Sequence, residues 1–156
     1  MSLEKWVEYG WLQTEPTSRD EIRSLLTIVD RDLRDAKVAG ISQDRRFEAA
    51  FSTARTAANI ALRASGYRTS TQPGHHIKTI ESLELTIKAD SRLIQRMKTF
   101  SKKRNVTSYD SAGNISTQEL ELAIRIAAEL RKRSIPNCSR NEIANKTAMI
   151  GAGVGS

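Results

Sequence analysis

Apolar residues that recur every three and four positions constrain this chain more than any other feature. In "TSRDEIRSLLTIVDRDLRDAKVAG", residues Ile22, Leu25, Leu26, Val29, Leu33 and Ala36 keep that step, which puts them on one face of a helix. Ser18 and Glu21 stand at the spacing of a capping box at its start, and Gly40 is a natural stop at its end. The next stretch, "SQDRRFEAAFSTARTAANIALRASG", begins at a possible cap, Ser42, and ends at Gly66. Phe47, Phe51, Ala54, Ala58, Ala61 and Leu62 form its apolar stripe. Small residues at Ala50, Ala54, Ala57, Ala58 and Ala61 let neighbouring helices approach closely, so this is expected to be the central helix.

The rest of the chain repeats the pattern more weakly. Glu4 to Leu12 reads as a short lid helix, with Trp6, Val7 and Trp11 as an apolar edge rather than a stacking surface for a ligand. "YRTSTQPG" has the composition of a loop. "HHIKTIESLELTI" restarts a helix anchored by Ile77, Ile80, Leu83 and Ile87. A further helix, from Ser91 to about Arg104, sets Leu93, Ile94, Met97 and Phe100 against Arg92, Arg96, Lys98, Lys102, Lys103 and Arg104. "NVTSYDSAGN" breaks the periodicity, and "STQELELAIRIAAELRKR" resumes it from a second capping box at Ser116 and Glu119. Ser139 and Glu142 offer a third. No turn dipeptide separates alternating strands, so no hairpin is signalled. The expected fold is all-α: an up-down antiparallel bundle of four to five helices with short flanking helices.

A length of 156 residues suits one domain, placed at 1–136, with 137–156 as a tail holding at most one short helix. The single cysteine, Cys138, excludes an internal disulfide and any zinc site built on several thiolates, and suits a reducing cytoplasm. No apolar run reaches the roughly 20 residues that cross a bilayer, and "MSLEKWVEYGWL" lacks the long apolar core of a signal peptide. A net charge of +7 favours acidic partners, nucleic acid and nucleotides among them.

Two groups of residues carry possible chemistry. Gly74-His75-His76 opens a helix. Adjacent helical residues diverge by about 100°, so the pair makes no metal claw, and binding an anion or capping the helix suits it better. "KKRNVTSYD" sets Lys102, Lys103, Arg104 and Asn105 before Tyr109 and Asp110. The guanidinium fork of an arginine suits phosphate, and asparagine and tyrosine can position a phosphate, a ribose or a base. Walker, G-x-S-x-G and G-x-G-x-x-G signatures are absent from the sequence.

"RRFEAAFSTARTAANIALRASGYRT", "GHHIKTIESL", "KRNVTSYDSAG" and "STQELELAIRIAAELRKR", in that order, resemble the HEPN superfamily (higher eukaryotes and prokaryotes nucleotide-binding), and within it the bacterial stand-alone HEPN proteins. The resemblance runs from about Leu12 to Arg133. It implies a helical bundle that usually dimerises. It also implies kinship with metal-independent ribonucleases, which are often toxins encoded beside a nucleotidyltransferase antitoxin. Their motif is an arginine followed, after four to six residues, by a histidine. Arg104 matches the arginine and Asn105 the polar residue that commonly follows it, but Tyr109 stands where the histidine is expected. With an ordinary pKa near 10, a tyrosine is a poor general base at neutral pH.

The expected function is therefore a nucleotide- or RNA-binding HEPN homodimer of a toxin–antitoxin or stress-response system, with weak or no nuclease activity. Lys102, Lys103, Arg104, Asn105, His75 and His76 would face phosphate, and Arg104, Tyr109 and Asp110 would form the remains of a catalytic cleft. No cofactor, metal or membrane partner is expected. The alternatives are a metal-independent endoribonuclease with an atypical acid/base, drawn from Asp110, His75 or His76, and a structural module whose basic face docks an acidic protein.

Overall fold

The computed structural model describes residues 1–109 and 113–135, for 106–109 the backbone alone. Its helices are α1 (Leu3–Glu8), α2 (Arg19–Ala36), α3 (Gln43–Ala64), α4 (His75–Glu81), α5 (Leu83–Thr86), α6 (Ser91–Tyr109) and α7 (Thr117–Ser134). Two three-residue strands, β1 (Leu12–Thr14) and β2 (Tyr67–Thr69), complete the described elements. The chain is all-α in class.

Local chemistry sets the helix starts where the sequence marks them. The Ser18 hydroxyl accepts from the Glu21 amide at 3.1 Å, and the Ser42 hydroxyl accepts from the Arg45 amide at 3.3 Å. At α7 the capping box is complete: Ser116 Oγ accepts from the Glu119 amide while the Glu119 carboxylate accepts from the Ser116 amide. Each arrangement satisfies amides that the helix itself leaves unpaired.

Contacts between helices fix their directions. Arg63 near the end of α3 meets Glu21 at the start of α2, and Arg46 near the start of α3 donates to the Ala36 carbonyl that ends α2. These two helices are antiparallel. Lys103 late in α6 pairs with Glu119 early in α7, and the starts of α3 and α7 meet through Gln43 and Thr117. The four long helices therefore alternate up and down, with α3 packed against α2, α6 and α7.

The core follows the apolar stripes. Phe47, Phe51, Ala54, Ala58 and Leu62 of α3 are all buried, and the Phe47 and Phe100 rings meet edge to face with centroids 5.4 Å apart. Leu120, Ile126 and Leu130 of α7 are buried, and Ile124 packs against the same core.

Three local expectations change. The Glu4–Leu12 helix stops at Glu8, and Leu12 instead opens β1, which pairs antiparallel with β2 in the register Leu12↔Thr69, Gln13↔Arg68, Thr14↔Tyr67. This ribbon joins segments more than 50 residues apart and is not a hairpin, so no turn sequence announces it. The "HHIKTIESLELTI" helix divides at Ser82 into α4 and α5. The expected break after Arg104 is absent, and α6 continues through Asn105 to Tyr109. Asp110, Cys138, the capping pair at Ser139 and Glu142, and the tail 137–156 lie outside the described residues.

Candidate anion-binding site

The outward side of α3 is polar where it runs between α2 on one side and α4 and α6 on the other. Glu48, Ser52, Arg55 and Asn59 recur at helical spacing along it. Two cavities open on this seam. The upper one, about 260 Å³, is bounded by Leu25 and Ile28 of α2, Arg55, Thr56 and Asn59 of α3, Thr69 of β2, and His75, His76 and Thr79 of α4. Among the described residues no carboxylate lines it. The other, about 360 Å³, lies a turn further along the same two helices and is bounded by Arg31, Asp32, Asp35, Arg45, Glu48, Ser52 and Arg104 among others.

Arg55 is the central residue of the upper cavity. It is half-buried, and among the described residues it makes no ion pair with a carboxylate. Its guanidinium lies 6.0 Å from the centroid of the Phe51 ring. Burial, and then the like charge of Arg104, push Arg55 below the ordinary arginine value. A half-buried cation that is repelled by a neighbour and matched by no anion leaves an electrostatic demand that a bound anion would meet.

Histidine completes the cluster. The His75 and His76 ring centroids are 3.9 Å apart. His75 Nδ1 lies 3.2 Å from the Gln72 carbonyl, which it meets as a donor. Burial, then the charges of Arg55, His75 and Arg104, hold His76 below the ordinary histidine range. At neutral pH it is therefore a neutral imidazole beside two guanidinium groups.

The expected basic run divides. Successive helical residues turn by about 100°, so Lys102, Lys103 and Arg104 point in three directions. Lys103 is engaged with Glu119, and Lys102 and Asn105 are exposed. Arg104 alone turns to the α3 seam, where it lies 3.7 Å from the Glu48 carboxylate. Arg104 lines the second cavity, close enough for its charge to act on Arg55 and His76, and Lys102, Lys103 and Asn105 lie elsewhere. The Tyr109 side chain and Asp110 lie outside the described residues.

Arg55, Thr56, Asn59, Thr69 and Thr79 are site residues that the sequence motifs do not single out. A signal for the α3 members is present: polar residues at helical spacing on the helix that the alanines mark as central. Among the described residues no group of three or more His, Cys, Asp or Glu is arranged to hold a metal ion, and no helix is long and apolar enough to cross a membrane. No protein-family model, curated protein or solved structure matches the chain, so the HEPN resemblance stays with the motifs that carry it and the chemistry of this groove is the ground for a functional reading.

Proposed function

We propose that the protein binds the phosphate groups of RNA or of a nucleotide in the groove between α2, α3 and α4. The observation that carries this reading is Arg55: a half-buried guanidinium without a carboxylate partner among the described residues, facing Arg104 and two imidazoles. The Thr56 and Thr69 hydroxyls and the Asn59 amide line the same cavity and supply neutral donors. The net charge of +7 supports the same class of ligand. The HEPN resemblance adds a homodimer, a nucleotidyltransferase partner encoded nearby and a toxin–antitoxin or stress-response setting to the proposal.

Affinity for a short single-stranded RNA, measured across a salt series, tests it. Removing a charge-assisted hydrogen bond from a sheltered site costs about 1.5–3 kcal/mol, so Arg55→Ala and Arg104→Ala should each weaken binding by about tenfold or more. Each should also flatten the salt dependence by about 0.7 in log–log slope for every phosphate that is no longer neutralised. Unchanged affinity in both variants would remove the binding claim and favour a structural module that docks an acidic protein.

A second reading is metal-independent RNA cleavage. It is supported by His76, a neutral imidazole beside Arg55 and Arg104. His76 can accept the proton of a ribose hydroxyl while the arginines hold the phosphate, a division of roles that does not need Tyr109. Under this reading His76→Ala abolishes cleavage, Tyr109→Phe retains it, and the wild-type rate falls as pH drops through the depressed His76 pKa. Cleavage that vanishes in Tyr109→Phe and persists in His76→Ala would return the catalytic role to the α6 motif.

A further inference from the structure

The His75 ring is shared by two cavities. On one side is the cationic cavity of Arg55 and His76. On the other is a cavity of about 370 Å³ whose walls include Trp11, Gln72, Pro73, His75, Ile77 and Lys78. Its aromatic and apolar surfaces suit a flat ring, and the Gln72 amide brings a donor and an acceptor to its rim.

Trp11 is held for such a role. Its carbonyl accepts from the Ser70 amide at 3.0 Å, directly before the Leu12↔Thr69 pair of the ribbon, and the Ser70 hydroxyl donates to the preceding Gly10 carbonyl at 2.7 Å. The Trp6 ring meets it edge to face, with centroids 5.5 Å apart. The indole is thus fixed from behind while remaining half-exposed. The Lys78 ammonium stands 3.6 Å from its ring centroid. A lysine head on a flexible stem can swing aside for a stacking ring and then donate to an oxygen on that ring. The expected lid role fits the buried Trp6, whereas Trp11 stays half-exposed with the Tyr9 ring tilted against it at 4.9 Å between centroids.

We infer that the Trp11 cavity is a nucleobase subsite, so that a bound nucleotide lies across His75 with its phosphate on Arg55 and its base against Trp11. This rests on the anion-binding reading of the neighbouring cavity and extends it from phosphate to nucleotide. Stacking of a base on an aromatic side chain strengthens binding roughly tenfold, and it tolerates any base because each presents a π-face.

The test compares the four ribonucleoside 5′-monophosphates with ribose 5-phosphate, which carries the same phosphate monoester and no base, by calorimetry on the full chain. The nucleotides should bind about tenfold more tightly. They should also quench tryptophan emission in the wild type, and ribose 5-phosphate should not. Trp11→Leu should erase the difference while keeping the affinity for ribose 5-phosphate. Equal affinities for the two kinds of probe in the wild type, or a Trp11→Leu loss that is the same for both, overturns the subsite. Arg55→Ala separates the two levels. If it weakens both probes while the base adds nothing, the nucleobase subsite alone fails. If it leaves both unchanged, the anion site fails with it.

Discussion

Phe47→Ala is expected to lower the free energy of unfolding by about 3–5 kcal/mol, the usual cost of removing a fully buried phenylalanine. Phe47 has no exposed surface. It sits on α3 where that helix packs against α6, and its ring meets the edge of Phe100. The variant therefore loses apolar burial, leaves a cavity and breaks an aromatic pair. For a domain whose whole stability is of the order of 5–15 kcal/mol, this is a large fraction. Urea unfolding followed by circular dichroism checks it: the midpoint should fall with the slope unchanged. Phe47→Leu, which keeps most of the volume, should cost well under half as much. A loss below about 1 kcal/mol in Phe47→Ala, under the usual range for such a truncation, would show that the α3–α6 interface is not the core that the burial describes.

This part of the molecule is legible in the sequence because one physical signal dominates it. The apolar step of α2, α3 and α7 is long enough to outweigh local ambiguity, and serine caps mark all three starts. Spacing alone places Phe47, Phe51, Ala54, Ala58 and Leu62 inside. It does not reveal the ribbon between β1 and β2. A three-residue strand is too short for alternation to register, and its partner lies more than 50 residues away. The end of α6 departs from expectation because Asn105, Val106, Thr107 and Ser108 are weak helix formers and yet lie within the helix.

The site is half legible. Arg104, His75 and His76 stand out as residue types, and the fold sets them along one seam. Arg55 looks like one more charge on a long helix. Its importance comes from what does not face it among the described residues, and a groove without a carboxylate is a property of three elements together. Lys102 and Lys103 mislead in the opposite sense: adjacency in sequence suggests a patch, and helical rotation disperses it. Spacing puts Trp11 on a lid helix, whereas it lies at the entry to β1, where its indole faces a cavity.

Arg63→Ala is expected to destabilise the fold by about 3 kcal/mol and to weaken the proposed site with it. The Arg63 side chain is 5% exposed. Its Nε and Nη2 donate to the two oxygens of Glu21 at 2.6 and 3.0 Å. Its terminal nitrogens also reach the carbonyls of Glu15, Pro16 and Tyr67 at 3.2–3.3 Å. One guanidinium thus ties the end of α3 to the start of α2 and to both sides of the β1–β2 ribbon. Truncation leaves carbonyls without donors and Glu21 without its counter-charge. Losing one partner of a buried pair costs about 3–5 kcal/mol, and the water-facing edge of Glu21 places this case at the lower end. Arg63→Lys should recover only part, because one ammonium cannot span six acceptors, the Glu15 carboxylate among them, in a fixed fork. The pH dependence has a definite sign. The hydrogen bond from Arg63 is the main cause holding the Glu21 carboxyl below its ordinary 4.5, so the pair's contribution is present above that value and is lost as pH falls through the lowered one. The wild type should therefore lose stability on acidification more steeply than Arg63→Ala. The ribbon also carries Thr69 to the Arg55 cavity and sets the backbone beside Trp11. Loosening it should weaken nucleotide binding in Arg63→Ala even though Arg63 lines neither cavity. Full retention of both stability and binding would show that this buried cation holds nothing in place.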